Sequence, residues 1–324
     1  MELSLHPTQL ARLKAFADVV EVSACDHRLL PNSEVAIIGS STVDDSFMDI
    51  AGPHLKMVVR HGIGYDKVNV PAASARGVLA ANTPNGPTEG TAEHAVGLMF
   101  AVAKGISRSD RALHNNGDWA GSKCRGFELF GRTLGVIGFG RIGQRVAEMC
   151  GAGIKMDVVY FDPFLPDGLD LPKSYRRVHS LESLLREADV VTAHSRLDPQ
   201  SYRMIGEAQL RLMKPGAILI NTSRGEVVDE HALCKVLSEG HLFGAGIDVF
   251  DPEPPSPENP LFQFENVVVT SHLASATVEA SLRSSTGVVD QIEQLTRGER
   301  PTWLINPTVW PGRPTATPAS EIRK

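Results

Sequence analysis

The hexapeptide Gly138-Phe139-Gly140-Arg141-Ile142-Gly143 follows the apolar run TLGVI and opens a helical pattern, RIGQRVAEMC. In a strand-turn-helix unit the first glycine allows the tight turn, the second lets the backbone approach a pyrophosphate, and the third lets helix and strand pack closely. The phosphates then lie on the positive end of the helix dipole. Alone, such a hexapeptide is a weak signal. Asp162 adds a second one: it closes the next strand-like run, DVVYFD, 19 residues after Gly143. That is near the roughly 20 expected of a carboxylate that takes the adenosine ribose hydroxyls. Gly138, Gly140, Arg141, Ile142, Gly143 and Asp162 therefore read as a dinucleotide site. A carboxylate at Asp162 repels a 2′-phosphate, so the expected cofactor is NAD(H) and not NADP(H). Arg176 and Arg177 lie well past the strand end and read as a solvated loop.

The elements that must position this turn are those of an α/β protein, because strand-like runs alternate with helical patterns over nearly the whole chain. One series comprises Asp18 to Ala24, Glu34 to Ser40, Leu55 to His61 and Val78 to Asn82. A second comprises TLGVIGFG, DVVYFD, DVVTAHS, GAILINT, GAGIDVF and NVVVTSH, six runs, enough for a doubly wound nucleotide-binding domain. Thr91 to Asp110, an apolar helical stretch with a polar end, reads as the connector. Thr277 to Arg297 is a long helical pattern expected to return to the first series, making that domain discontinuous, and the Pro- and Thr-rich tail after Pro311 is expected to be loose.

Composition narrows the function further. The 324 residues carry 32 Lys and Arg against 38 Asp and Glu, a net charge of −6, which gives no global electrostatic reason to bind nucleic acid or an anionic membrane. The longest unbroken apolar run, Ala95 to Ala103, falls short of the about 20 residues that a membrane span needs. The N-terminal stretch MELSLHPTQLARLK is charged where a secretory signal is apolar, so a cytoplasmic protein is expected. Cys25, Cys124, Cys150 and Cys234 show no CxxC spacing, so neither a disulfide framework nor a metal site is expected.

Several blocks in order resemble the D-isomer-specific 2-hydroxyacid dehydrogenases. They are VVRHGIGYDKVNVPAASARGVLAANTPNGPTEGTAEHAVGLMFAVAK, LFGRTLGVIGFGRIGQRVA, INTSRGEVVDE, IDVFDPEPP and TSHLASAT. The resemblance implies a two-lobed enzyme, with a Rossmann NAD-binding domain over 102–284 and a smaller flavodoxin-like substrate-binding domain over 1–101 and 285–324. The active site is then expected in the cleft between the lobes. It also implies hydride transfer at the 2-carbon of a small 2-oxo or 2-hydroxy acid, as in phosphoglycerate dehydrogenase or hydroxypyruvate and glyoxylate reductase, and a homodimer formed through the NAD-binding domain.

Arg224 in NTSRG, Glu253 in DVFDPEP and His272 in SHLAS match the family's catalytic set, and the chemistry suits them. A planar guanidinium holds a carboxylate and polarises a ketone through its fork of donors. An imidazole exchanges a proton near neutral pH. A carboxylate on the far ring nitrogen orients it. His94, beside Glu93, is the competing acid-base residue and reads instead as a hinge or packing group. The loop Arg60, His61, Gly62, Ile63 and Gly64 matches the one whose backbone N–H groups hold the substrate carboxylate, and Asp248 matches a position that contacts the nicotinamide amide.

Arg196 stands where many relatives have proline, which leaves the substrate open. Corepressors that sense NADH share this fold and trio and are the alternative reading, although no partner-recognition segment is visible. Formate dehydrogenases have Gln at the position of Glu253.

Overall fold

A computed structural model describes residues 5–21, 31–119, 125–166, 168 and 170–310. The chain divides into two compact units. Of the described residues, those up to Thr88 and from Ala276 onward build one, and those from Glu89 to Ser275 build the other.

The first unit contains helix α1 (Pro7–Lys14), strand β1 (Val35–Ile38), helix α2 (Asp45–Ala51), strand β2 (Met57–Arg60), helix α3 (Val70–Ala75) and strand β3 (Leu79–Ala81). The strands form a parallel sheet in the order β1-β2-β3. Residues 18–21 of the run expected over Asp18 to Ala24 form no strand, and 22–24 lie outside the described residues.

The second unit begins with α4 (Thr88–Ala103) and α5 (Ile106–Asn116). The single connector helix expected over Thr91 to Asp110 is thus two, parted at Gly105, whose φ of 64° is left-handed. Helix α4 goes with this unit because its buried side chains Leu98, Met99 and Val102 pack with Leu134, Val136, Ile218 and Ile220 of the larger sheet. The units consequently divide earlier than the expected 101/102 and 284/285.

That sheet comprises β4 (Thr133–Ile137), β5 (Asp157–Phe161), β6 (Arg176–Arg177), β7 (Val190–Ala193), β8 (Ile218–Asn221), β9 (Gly244–Ile247) and β10 (Val267–Val269). All pairings are parallel and the order is β10-β9-β8-β7-β4-β5-β6. Helices α6 (Arg141–Glu148), α7 (Leu181–Glu187), α8 (Glu207–Leu212) and α9 (Glu230–Ser238) connect the strands. Strands β7, β8 and β9 are buried throughout, as strands covered on both faces must be. The order reverses between β4 and β7, the place where doubly wound sheets take ligands beyond their carboxyl ends.

One expectation is corrected here. Arg176 and Arg177 are not a solvated loop but the edge strand β6, and Arg177 donates to the carbonyls of Asp162 and Leu165, both at 3.0 Å. A two-residue strand is too short to show any alternation in sequence.

Helix α10 (Val278–Thr296) belongs to the first unit. The Thr277 side chain caps it by accepting from the Ala280 N–H at 3.1 Å, and Val288, Val289 and Ile292 pack with Met57, Val59 and Leu79. The tail after Pro311 lies outside the described residues. No described helix is long and apolar enough to cross a membrane.

Candidate active site

Each glycine of the β4–α6 turn has its own physical reason. Gly138 has a φ of 83°, and a Cβ there would lie 2.7 Å from the Ser195 nitrogen. A Cβ on Gly143 would come within 2.2 Å of the Gly138 carbonyl oxygen, so only glycine lets α6 start this close to its strand. A Cβ on Gly140 would meet nothing within 4 Å. Open space over the second glycine is what a pyrophosphate needs. Arg141 and Ile142 start α6. Partial burial lowers the pKa of the Arg141 guanidinium from its usual value.

Asp162 is 9% exposed, and its carboxylate accepts the Phe139 N–H at 3.0 Å and the Phe164 N–H at 2.9 Å. The strand-end carboxylate and the glycine turn are therefore one hydrogen-bonded unit. Ile137 pairs with Ala193 and Ala193 with Asn221, so Gly138, His194 and Thr222 stand in a row just past the strands. Among the described residues His194 Nδ1, Ser195 Oγ and Thr222 Oγ1 are buried there without a hydrogen-bond partner. Buried polar atoms are normally satisfied, so these orphans, with the open glycine, fit a polar dinucleotide.

Farther along the same sheet, Glu253 and His272 meet. His272 Nδ1 lies 2.8 and 2.9 Å from the two Glu253 carboxylate oxygens, with the side chains 44% and 34% exposed. The carboxylates can only accept, so Nδ1–H donates and Nε2 is the nitrogen left for exchange with a substrate. His272 has a left-handed φ of 54°, uncommon for a non-glycine residue and worth about 1–2 kcal/mol of strain.

The wholly buried Asp248 holds that backbone in place. Its carbonyl accepts the His272 N–H at 2.8 Å, and its carboxylate accepts the Leu273 and Ala274 N–H groups at 2.8 and 3.0 Å. The Thr270 hydroxyl also donates to it, at 2.5 Å, and His94 Nε2 lies 2.9 Å from the Thr270 oxygen and 3.5 Å from Asp248 Oδ1. Burial opposes the Asp248 anion, but the donors His94 and Thr270 and the two amides outweigh it and lower its pKa below the usual aspartate value. The carboxylate expected to contact a nicotinamide amide is thus buried beneath the His272 turn, and the geometry gives it a structural task. Because the only hydroxyl proton of Thr270 goes to Asp248, His94 must act as the donor at Nε2. It serves the same turn.

Arg224 follows β8 in a loop shaped by Asn221. The Asn221 side chain donates to the Arg224 carbonyl at 2.8 Å and accepts the Ser223 N–H and hydroxyl at 3.0 and 2.8 Å. The Arg224 guanidinium donates to the Ser223 carbonyl at 2.8 Å and is partly exposed. Glu230 takes the Asp251 N–H at 2.7 Å and the Asn259 amide at 3.0 Å, which fixes both ends of the proline-rich segment carrying Glu253.

In the first unit the loop after β2 is held at almost every polar atom. The carbonyls of His61 and Gly64 accept from the Arg60 guanidinium at 2.5 and 3.1 Å. That of Gly62 accepts the Thr83 N–H at 3.0 Å, and that of Ile63 the Asn82 side-chain amide at 2.8 Å. The His61 N–H goes to the Ile38 carbonyl at 2.9 Å and the Gly62 N–H to the Thr83 hydroxyl at 2.8 Å. Among the described residues only the N–H groups of Ile63 and Gly64 in this run have no acceptor. Gly62, at a φ of 136°, is the position that requires glycine. His61 lies against the Ser285 hydroxyl at 3.1 Å, and burial, with the Arg60 charge adding to it, lowers its pKa. Sequence reasoning found the loop but missed Asn82, Thr83, Asn221, Glu230 and Thr270. The signal for Asn82 and Thr83 was the run NTP directly after a strand.

Residues 96–274 match the family model described as D-isomer specific 2-hydroxyacid dehydrogenase, NAD binding domain. A glyoxylate reductase of Korarchaeum cryptofilum is 41% identical over 82% of this chain and 80% of its own length. A D-3-phosphoglycerate dehydrogenase of Archaeoglobus fulgidus is 38% identical over 84% of this chain, and the chain spans about half of it, 51%. An NADPH-dependent glyoxylate/hydroxypyruvate reductase of Sinorhizobium meliloti, solved with NADP and malonate, has a TM-score of 0.85 and 28% identity, covering 97% of this chain and 98% of that one. The chain belongs to the D-isomer specific 2-hydroxyacid dehydrogenase family. It is accordingly an oxidoreductase with an NAD-binding domain, acting between 2-hydroxy and 2-oxo acids.

Proposed function

We propose that the chain interconverts a small D-2-hydroxy acid and its 2-oxo acid, with His272 as proton donor and acceptor, Glu253 orienting it, and Arg224 holding the substrate carboxylate and carbonyl. The observation that carries this reading is the contact of Glu253 with His272 Nδ1 at 2.8 Å. NAD(H), held by the Gly138 to Gly143 turn and Asp162, would supply the hydride chemistry at the 2-carbon. In reduction His272 Nε2–H donates to the developing alkoxide, while Glu253 stabilises the ring as it cycles between charged and neutral. Arg224 places paired donors on the carboxylate and the polarised carbonyl. The N–H groups of Ile63 and Gly64 take the carboxylate, as the bare amides in a glycine loop suit.

Asp162 favours NAD(H) over NADP(H) by repelling a 2′-phosphate. A homodimer formed through the NAD-binding unit is supported by the exposed apolar residues of α5 and the chain beyond it. The free thiols Cys150 and Cys234 suit a reducing cytoplasm.

The experiment follows NADH consumption with glyoxylate, hydroxypyruvate, 2-oxoglutarate and 3-phosphohydroxypyruvate. One or more should turn over, and His272→Ala should lower kcat by about 100-fold or more with NADH binding retained. Arg224→Ala should raise KM as well as lower kcat, since it also holds the ground state. Wild-type turnover by His272→Ala would remove the mechanism.

A further inference from the structure

The two amides without an acceptor, Ile63 and Gly64, are consecutive, and their direction is set by their neighbours. A planar trans peptide points its C=O and its N–H to opposite sides. The Ile63 N–H shares its plane with the Gly62 carbonyl, which Thr83 holds, and the Gly64 N–H shares its plane with the Ile63 carbonyl, which Asn82 holds. Both donors are therefore turned away from residues 82 and 83, side by side. Thr83 acts on its plane through a backbone N–H, which any residue but proline would supply. Asn82 acts through its side chain, so residue type matters there.

Asn82 is 9% exposed, and its backbone is pinned at both polar groups. Its N–H donates to the Trp303 carbonyl at 3.2 Å, and its carbonyl accepts from the Gln291 side chain at 3.0 Å. Gln291, 1% exposed, in turn accepts the Trp303 N–H at 2.9 Å. An amide anchored in this way cannot swing aside, and the Ile63–Gly64 peptide cannot rotate without leaving a buried donor unpaired.

We propose that Asn82 is the positioning residue of the substrate-carboxylate site: its side-chain amide fixes the Ile63–Gly64 peptide so that two adjacent N–H groups face an incoming carboxylate. The proposal rests on the reading that these amides receive that carboxylate, and the test separates the two. Asn82→Asp, nearly isosteric, replaces the donor with an acceptor facing the Ile63 carbonyl, and Asn82→Ser removes the reach of the side chain. A loss of about 1.4 kcal/mol of binding common to ground and transition states is a tenfold change. KM for the oxo acid should therefore rise about tenfold in either variant, with kcat within about threefold and the NADH dissociation constant unchanged.

A second readout uses enzyme labelled with nitrogen-15 at isoleucine and glycine. On adding oxamate to the NADH complex, the Ile63 and Gly64 amide resonances should move in the wild type and move far less in the variants. Wild-type resonances that stay still would remove the carboxylate reading and the proposal with it. Resonances that move equally in wild type and variants, or an unchanged KM, would leave that reading standing and overturn the role of Asn82. A variant that loses kcat and thermal stability together, with KM unchanged, shows a merely structural asparagine and also overturns it.

Discussion

His194 is a titratable residue whose environment permits one charge state. Its Nε2 lies 2.9 Å from the Thr192 hydroxyl, and Nδ1 is buried without a partner. Burial pushes its pKa down to about 3, whereas an unfolded histidine titrates near 6.5. Below that value the unfolded chain binds a proton that the folded chain does not. Stability from this residue is thus fully present above about pH 6.5 and is lost as the pH falls toward 3, by about 1.4 kcal/mol per unit. Asp248 acts in the same direction over a lower range, since its carboxyl sits below the usual aspartate value. Urea unfolding at pH 7 and pH 5 should show a lower midpoint at pH 5, and His194→Gln should shrink that difference. An equal difference in the variant would mean that His194 is not the group responsible.

At the scale of the element, the glycine turn offers a pair of substitutions with opposite outcomes. A Cβ on Gly140 meets nothing within 4 Å, while one on Gly143 strikes the Gly138 carbonyl oxygen at 2.2 Å. Gly140→Ala should leave the melting temperature nearly unchanged and weaken NADH binding by tenfold or more, about 1.4 kcal/mol, because the methyl fills the space a pyrophosphate uses. Gly143→Ala should lower the melting temperature, because α6 must lift from β4. Calorimetry and NADH fluorescence titration read the two separately. Similar melting temperatures for the two variants would contradict this division of roles.

The same turn shows what the sequence discloses and why. Gly138 to Gly143 and Asp162 are legible because their geometry is local: a strand, a turn and a strand end at fixed spacing. Each strand-like run in DVVTAHS, GAILINT and GAGIDVF became a strand, since burial on both faces leaves an unbroken apolar signature. The task of Asp248 was hidden because its partner His94 is more than 150 positions away (248 − 94 = 154) and its other donors are a hydroxyl and two backbone amides. Nor does sequence tell that the Arg60 guanidinium turns back onto the carbonyls of its own loop. That choice depends on how the chain turns over the next four residues, to Gly64.

For the whole molecule, the exposed apolar side chains bear on assembly. Ile106 is 55% exposed, Leu113 43%, Trp119 87% and Phe130 70%, all on α5 or the chain that follows it to β4. Single exposed apolar residues are ordinary, whereas a contiguous exposed apolar patch is where another protein docks, and these four residues are the basis on which the dimer is proposed. A large aromatic contributes more to such an interface than its neighbours do. In a symmetric pair each substitution acts twice, once on each partner. Trp119→Glu should therefore shift the proposed dimer strongly toward monomer, while leaving the circular dichroism spectrum unchanged, because the side chain is hardly buried within its own chain. Sedimentation velocity over a range of protein concentrations reads the mass directly. A wild-type protein that remains a monomer at every concentration, or a Trp119→Glu variant that dimerises as well as the wild type, would show that this stretch is not the surface through which two copies associate.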